Sequence, residues 1–271
     1  MLDLKLEGKR ALVTGSSSGI GESIARLLAQ AGAAVVVHGR NAERAERVAD
    51  DINKQKGGKA WVALGDLATE EGADRVASRT LETLGGIDIL VNNAGGADEG
   101  MKPWLETPID EWKHLFEQNI FSAVRLIRRF VPEMKKSGWG RVIQISSGAA
   151  SQPLPIGPGY AAAKAAMVNT TVSLAKDLAG TGITVNTVSP GPILTPIAER
   201  VFREIAKTKG WGDEWAEIEP QAVKSFVPNP VGRFGSVEEV AAAVAFLASP
   251  LASFINGANL RVDGGYVTAI N

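Results

Sequence analysis

Eight residues near the start of the chain, Thr14-Gly15-Ser16-Ser17-Ser18-Gly19-Ile20-Gly21, constrain its fold more than any other stretch. They follow the apolar run Ala11–Gly15 and lead into Ile20, Ile24, Leu27, Leu28 and Ala31, which are spaced as the buried stripe of a helix. Glycines between a strand and a helix let the backbone take positive φ and come close to an anionic ligand. The free N–H groups and partial positive charge of the helix N-terminus then face that ligand. A dinucleotide pyrophosphate is the expected occupant, and a plain strand-to-helix turn is the alternative.

The same alternation continues along the chain. Short apolar runs fall at Ala34–Gly39, Ala60–Leu64, Ile87–Asn92, Gly140–Ser146, Ile183–Ser189 and Asn259–Asp263, with helical patterns between them. Most are continuously apolar, as parallel strands covered on both faces require. Gly32 marks a helix stop, Thr107-Pro108-Ile109-Asp110 reads as an N-cap with proline at the first helical position, and Ser236-Val237-Glu238-Glu239 has capping-box spacing. Repeated β-α units predict an α/β fold: one doubly wound parallel sheet of about seven strands with helices on both faces, spanning 1–271 as a single dinucleotide-binding domain. The stretch 196–235 breaks the rhythm. It carries a short helical pattern around Ile197–Lys207, followed by a Gly/Trp/Pro-rich segment with Trp211, Trp215, Pro220, Phe226, Pro228 and Pro230. A long insertion of this kind is expected to border a ligand site.

Composition excludes several chemistries. With 271 residues, 29 basic and 30 acidic side chains and a formal net charge of -1, no attraction to nucleic acid or anionic membrane is implied. Cysteine is absent, which removes disulfides, thiolate nucleophiles and cysteine metal sites. Two histidines, His38 and His114, are too few for a His-rich metal centre, so no metal is expected, and they read as a strand-end and a helix-surface residue. Met1–Glu7 alternates charge with leucine rather than forming a signal peptide, and no run approaches the roughly 18 apolar residues of a membrane span. A soluble cytoplasmic protein is expected.

Candidate chemistry lies at the ends of the apolar runs. His38-Gly39-Arg40-Asn41 closes the second run without the acid that bonds ribose hydroxyls in NAD sites. Arg40 can pair instead with a 2′-phosphate, favouring NADP(H) over NAD(H), although an arginine that only solvates a loop is the alternative. Asp66 can accept from an adenine amino group or cap a turn, and Asn92-Asn93-Ala94-Gly95 can hold the strand ends together and touch the cofactor. Tyr160-Ala-Ala-Ala-Lys164 places a phenol and an ammonium one helical turn apart, with Ser146 and Ser147 upstream at the end of an apolar run.

Taken in order, Thr14-Gly15-x-x-x-Gly19-x-Gly21, Asn92-Asn93-Ala94-Gly95, Ser147, Tyr160-x-x-x-Lys164 and Pro190-Gly191 resemble the short-chain dehydrogenase/reductases of the compact single-domain type, over essentially the whole chain to Val262-Asp263-Gly264-Gly265. By that resemblance Ser147 rather than Ser146 is implied, because 13 positions separate it from Tyr160, the family's usual interval. The resemblance implies that Tyr160 is a general acid/base, its phenol lowered by Lys164 and the oxidised nicotinamide. It also implies that Lys164 holds the nicotinamide ribose, that Ser147 orients the substrate oxygen, and that Asn119 anchors a water linking the lysine to solvent. The implied dinucleotide contacts are Gly15, Ser17, Ser18, Gly19, Ile20 and Gly21 in the loop; Arg40, Asp66 and Leu67; Asn93, Ala94 and Gly95; Tyr160 and Lys164; and Pro190, Gly191, Ile193 and Thr195.

The activity this implies is NADP(H)-dependent interconversion of a carbonyl (ketone or aldehyde) and an alcohol, with a 3-oxoacyl thioester reductase as one form. A non-catalytic dinucleotide sensor would dispense with Tyr160 or Lys164. Sugar-nucleotide epimerases and dehydratases carry a longer chain and a differently spaced glycine loop. The partner is a small-molecule substrate, with the insertion's Trp211, Trp215 and Phe226 suggesting an apolar or aromatic surface for it. Homo-oligomers, tetramer or dimer, are implied through the helices of Asn119–Lys135 and Tyr160–Leu178 and the C-terminal strand. Arg125, Arg128, Arg129, Lys135 and Lys136 read as a solvated or subunit-contact face, or as a docking patch for an acidic acyl carrier.

Overall fold

Continuously apolar runs become the strands, the central ones buried on both faces. In a computed structural model describing residues 3–97 and 101–270, they form β1 (Arg10–Val13), β2 (Ala34–Gly39), β3 (Ala60–Leu64), β4 (Ile89–Asn92), β5 (Gly140–Ile145), β6 (Ile183–Pro190) and β7 (Asn259–Val262). All pair in parallel, in the order β3-β2-β1-β4-β5-β6-β7. The order reverses between β1 and β4, opening a crevice above the strands' carboxyl ends. The register Val13↔Val91 and Asn92↔Gln144 brings the glycine loop, the Asn-Asn pair and the Ser-Ser pair to that one edge.

Helices cover both faces. On one, α1 (Gly19–Gln30), α2 (Ala42–Asn53) and α9 (Val237–Ala248) pack Ile24, Leu28, Val48, Ile52 and Val244 against Val13, Val35, Val91 and Ile143. On the other, α3 (Glu70–Leu84), α5 (Ser122–Ser137) and α6 (Pro158–Asp177) pack Val76, Leu126, Phe130, Met134 and Leu178 against Leu12, Leu90, Val142 and Val185. At about 25 cal/mol per Å² of apolar surface removed from water, these two layers dominate the stabilisation.

The boundary signals act as expected at Gly32, with φ of 96°, and at Ser236, whose hydroxyl accepts from Glu239 N while the Glu239 carboxylate accepts from Ser236 N. One is displaced. Pro108 rather than Thr107 is the N-cap of α4 (Ile109–Phe116), because the Thr107 hydroxyl donates to Pro103 O at 2.9 Å and closes the preceding turn. The α5 arginines also differ from a free basic patch. Arg125 bridges Glu70 and Glu117 at 2.8 Å each, and Arg129 bonds Glu70 and Asp74, so two of the cluster's cations neutralise acids of α3 and Glu117, which precedes α5. Among the described residues, no helix is long and apolar enough to cross a membrane.

The insertion departs most from expectation. The segment read as a Gly/Trp/Pro-rich loop contains a second helix, so that 196–235 holds α7 (Pro196–Lys209) and α8 (Trp215–Phe226). A reciprocal capping box between Glu214 and Glu217 starts α8 despite Pro220 within it. Trp211, Trp215, Phe202, Phe226 and Phe234 stack at centroid distances of 5.1–6.1 Å around Ala222 and Val223. The tryptophans therefore build the insertion's own core rather than a substrate wall.

Candidate active site

The glycine loop is held from below by β2. Gly15 N–H donates to Nδ1 of His38 at 2.9 Å, and Nε2 of the same ring lies 3.1 Å from Gly65 O. These partners assign the tautomer with the proton on Nε2. Ser16 N donates to His38 O and His38 N to the Ser16 hydroxyl, which itself donates to Val13 O. His38 is buried, and that burial lowers its pKa to about 4, against the raising effect of the Gly65 carbonyl. The expected strand-end residue is thus a splint between the ends of β1, β2 and β3.

From the other side, Asn93 donates through Nδ2 to Thr14 O at 2.9 Å and Gly15 O at 3.1 Å, while Asn93 N and Ala94 N both donate to the Thr14 hydroxyl. Gly15 adopts φ of 62°, and a Cβ there would meet Ala94 Cα at 2.9 Å. At Gly21 a Cβ would lie 2.4 Å from Gly15 O, so this glycine serves the closeness of α1 to the loop. The paired-amide expectation holds for Asn93 only. The buried Asn92 amide has no hydrogen-bond partner among the described residues.

A cleft of about 350 Å³ runs over β1, β2 and β3, lined by Gly15, Ser17, Ser18, Arg40, Asp66, Leu67, Asn93, Ala94 and Gly95 as expected. Arg44 joins it, adding a second cation one turn beyond Arg40, where Asn41 caps α2 by accepting from Arg44 N. Asp66 Oδ1 accepts from Ala68 N at 3.1 Å, which leaves its other oxygen for the cleft. Sharing Asn93 and Gly95, a second cavity of about 240 Å³ continues to Ile20, Ser147, Tyr160, Lys164, Pro190, Gly191, Ile193 and Thr195. The Thr195 hydroxyl also caps α7, accepting from Ala198 N at 3.2 Å. Gly19, with φ of 58°, begins α1 beside Thr195 without lining either space.

Strand alternation sends the two serines to different tasks. Ser146 is buried and donates to Lys164 O at 2.9 Å, whereas Ser147 projects into the cavities and accepts from Ala149 N. Gly157, left-handed at φ of 64°, and Pro158 start α6, so Tyr160 and Lys164 fall on its first turns. Lys164 Nζ donates to Ile145 O at 2.9 Å and lies 5.8 Å from the Tyr160 ring centroid. Burial lowers the lysine's pKa to about 8, so it remains an ammonium at neutral pH. For Tyr160, burial pushes the phenol above its ordinary value, with the Ser147 hydrogen bond pulling the other way. The lowering expected from Lys164 and the oxidised nicotinamide together is a separate effect from this burial, and the ammonium itself donates to the Ile145 carbonyl.

Asn119 does not line the cavities. It sits in a π turn, Glu117–Phe121, between α4 and α5, and its amide is fully engaged. Nδ2 donates to Leu115 O and Gly96 O, and Oδ1 accepts from Gly96 N, each at 2.9 Å. The side chain thereby fixes the strand-to-loop segment that follows Asn93.

A third cavity of about 190 Å³ shares Ser147, Tyr160, Pro190 and Gly191 with the second. Met101, Ala149, Leu154, Ile156, Pro192, Val227, Gln152 and Tyr266 complete most of its wall. Sequence reasoning missed these residues because contacts such as the Pro103↔Ile156 bridge and Gly157 N to Lys102 O unite segments over fifty positions apart. Of the expected insertion, only Val227 reaches this cavity, and Ile197 reaches the first cleft. His38 and Arg44 had readable signals: a polar ring inside an otherwise apolar run, and a second arginine one turn after the first.

Residues 15–267 match the family model described as enoyl-(acyl carrier protein) reductase. The oxidoreductase YvaG of Bacillus subtilis is 40% identical over 99% of this chain and 100% of its own. The 7alpha-hydroxysteroid dehydrogenase of Escherichia coli is 37% identical over 99% and 98%. Among solved structures, L-sorbose reductase from Gluconobacter frateurii, complexed with NADPH and L-sorbose, superposes with a TM-score of 0.93 at 35% identity, covering 99% of this chain and 100% of that one. With the sheet order, the glycine loop and the Ser147–Tyr160–Lys164 grouping, these matches establish that the chain belongs to the short-chain dehydrogenase/reductase family of oxidoreductases.

Proposed function

We propose that the protein is an NADP(H)-dependent oxidoreductase interconverting a ketone or aldehyde with an alcohol. One observation carries this reading: Ser147 and Tyr160 stand on the wall common to a dinucleotide-sized cleft and an apolar cavity, with the Lys164 ammonium buried behind them. The residues present fit the dinucleotide. The Gly15 loop and the N-terminus of α1 suit a pyrophosphate, Asp66 and Leu67 an adenine, and Lys164 and Asn93 the nicotinamide ribose. Arg40 and Arg44, with no acid at the end of β2, favour a 2′-phosphate.

When bound, the dinucleotide supplies or accepts the hydride. Tyr160, its phenol raised by burial, keeps its proton at neutral pH and gives it to the carbonyl oxygen during reduction. In the alcohol-oxidising direction the phenolate takes the hydroxyl proton, and the Lys164 ammonium, charged below about pH 8, favours that phenolate. Ser147 directs the substrate oxygen toward the phenol. Asn119 positions the Gly96 backbone through two hydrogen bonds, is itself tied to Leu115 O by a third, and touches no reacting group.

The 3-oxoacyl thioester form draws support from a 37% identical 3-oxoacyl-[acyl-carrier-protein] reductase of Aquifex aeolicus. Neutralisation of Arg125 and Arg129 by acids takes two of the five cations from the carrier-docking patch and weakens that argument for it. A single cytoplasmic domain, with 196–235 as its substrate-side insertion, and assembly as a dimer or tetramer complete the reading. Exposed Phe121, Val172 and Leu260 on the expected contact elements support assembly. The test is NADPH oxidation across a carbonyl panel, with Tyr160→Phe as control. Turnover that falls by about 10²–10⁴ in the variant, with NADPH binding retained, is expected; a variant as active as the parent overturns the mechanism, and binding without turnover favours the sensor.

A further inference from the structure

The third cavity restricts which carbonyl can reach Tyr160. No charged side chain lines it among the described residues. Gln152 is largely committed, with one of its two Nε2 N–H donors left over. Its Nε2 donates to Tyr266 O at 3.3 Å, and its Oε1 accepts from Thr268 N at 2.9 Å and the Thr268 hydroxyl at 3.0 Å. Beyond Ser147 and Tyr160, which face the reacting oxygen, the polar groups left among the described residues are the neutral phenol of Tyr266 and the second Nε2 N–H of Gln152. Met101, Leu154, Ile156, Ala149, Pro192 and Val227 supply the rest of the surface.

Two consequences follow for a bound molecule. A carboxylate or phosphate placed here would lose its hydration with no cation to replace it, and several hydroxyls would face carbon. A neutral apolar group meets no such opposition, and an apolar cavity of about 150 Å³ already accommodates a benzene ring. The space of about 190 Å³ therefore suits one ring with a short substituent, and bulk beyond that must pass the half-exposed rim formed by Met101 and Leu154.

We infer that the substrate is a neutral ketone bearing one ring-sized apolar group, reduced to the corresponding secondary alcohol, rather than an oxo acid or a ketose. This rests on the carbonyl-reductase reading above. The carbonyl carbon gains the hydride of NADPH, which becomes NADP⁺, and the carbonyl oxygen gains the proton of Tyr160.

The probes are 4-methylacetophenone, its carboxylate counterpart 4-acetylbenzoate, and L-sorbose, each assayed with NADPH. The neutral ketone is expected to exceed each of the other two by about 100-fold in kcat/KM, the scale of an unpaired buried charge or several unpaired hydroxyls. In Tyr160→Phe, which holds the ketone without reducing it, calorimetry with NADP⁺ present should show 4-methylacetophenone binding tighter than 4-acetylbenzoate by a similar factor. Leu154→Arg, at a rim position open to solvent, should raise kcat/KM for 4-acetylbenzoate about tenfold and lower it for the neutral ketone. Equal or better turnover of 4-acetylbenzoate or L-sorbose by the parent overturns the substrate class while leaving the reductase reading intact. Absence of turnover with every carbonyl, together with no ketone binding to the variant, overturns both.

Discussion

The Nδ1 atom of His38 accepts the backbone N–H of Gly15 at 2.9 Å, placing a titratable ring directly beneath the loop we propose for the pyrophosphate. Nδ1 can accept only while it carries no proton, and burial secures this by lowering the ring's pKa to about 4.

Acid should therefore loosen this support. An unfolded histidine titrates near pH 6.5, so as pH falls the unfolded chain takes up the proton first. Stability present above pH 6.5 is withdrawn between 6.5 and about 4, by at most about 3 kcal/mol. His38→Asn should be less stable at pH 7, flatter across that window, and weaker for NADPH by about tenfold if it loses one hydrogen bond to the loop. Urea titrations of both proteins between pH 4.5 and 7.5 measure it, and identical slopes would remove the histidine from the account.

Arg40 and Arg44 present two cations to one cleft. Arg40→Ala and Arg44→Ala should each weaken NADPH by about tenfold or more, a charge-assisted hydrogen bond amounting to about 1.5–3 kcal/mol, and leave NADH nearly unchanged. Fluorescence titration of both dinucleotides gives the comparison; parallel losses would assign the arginines to folding of α2 instead.

Phe234 is 4% exposed and touches the rings of Phe202 and Trp215 within the insertion. Phe234→Ala should destabilise the protein by about 3–5 kcal/mol. Because Val227 belongs to both this cluster and the apolar cavity, KM for the ketone should rise more than kcat falls. Proteolysis confined to 196–235 in the variant would show that the damage is local.

How much of this was readable in the residue order depends on range. β2 and β3 have the ends their apolar runs announce, although β3, at the sheet edge, leaves Trp61 and Leu64 exposed. Ser147, Tyr160 and Lys164 were legible because one strand end and one helical turn fix their spacing. Helix α8 was not, since Pro220 and the flanking glycines argue locally for a loop while its stability comes from aromatic partners as distant as Phe202 and Phe234. The raised phenol of Tyr160 was equally hidden, because burial is a property of the packed chain. Gln152 reads as a free polar group until Thr268, over a hundred positions later, occupies it.

Asn119→Ala should cost about 1–3 kcal/mol, because it strips partners from both the N–H and the C=O of Gly96. Thermal unfolding reads this directly, and a variant as stable as the parent would show that water replaces the amide.

The π turn that carries Asn119 also makes this stretch asymmetric toward mutation. One residue advances a helix by about 100°, and the wide turn at Glu117–Phe121 absorbs that step between Leu115 of α4 and Leu126, Phe130 and Met134 of α5. A substitution here removes one side chain. A single-residue deletion would regularise the helix, rotate the whole inward stripe of α5 toward solvent, and pull the turn from under Gly96. The length of 117–121 is thus a constraint separate from the identity of its side chains, Asn119 included.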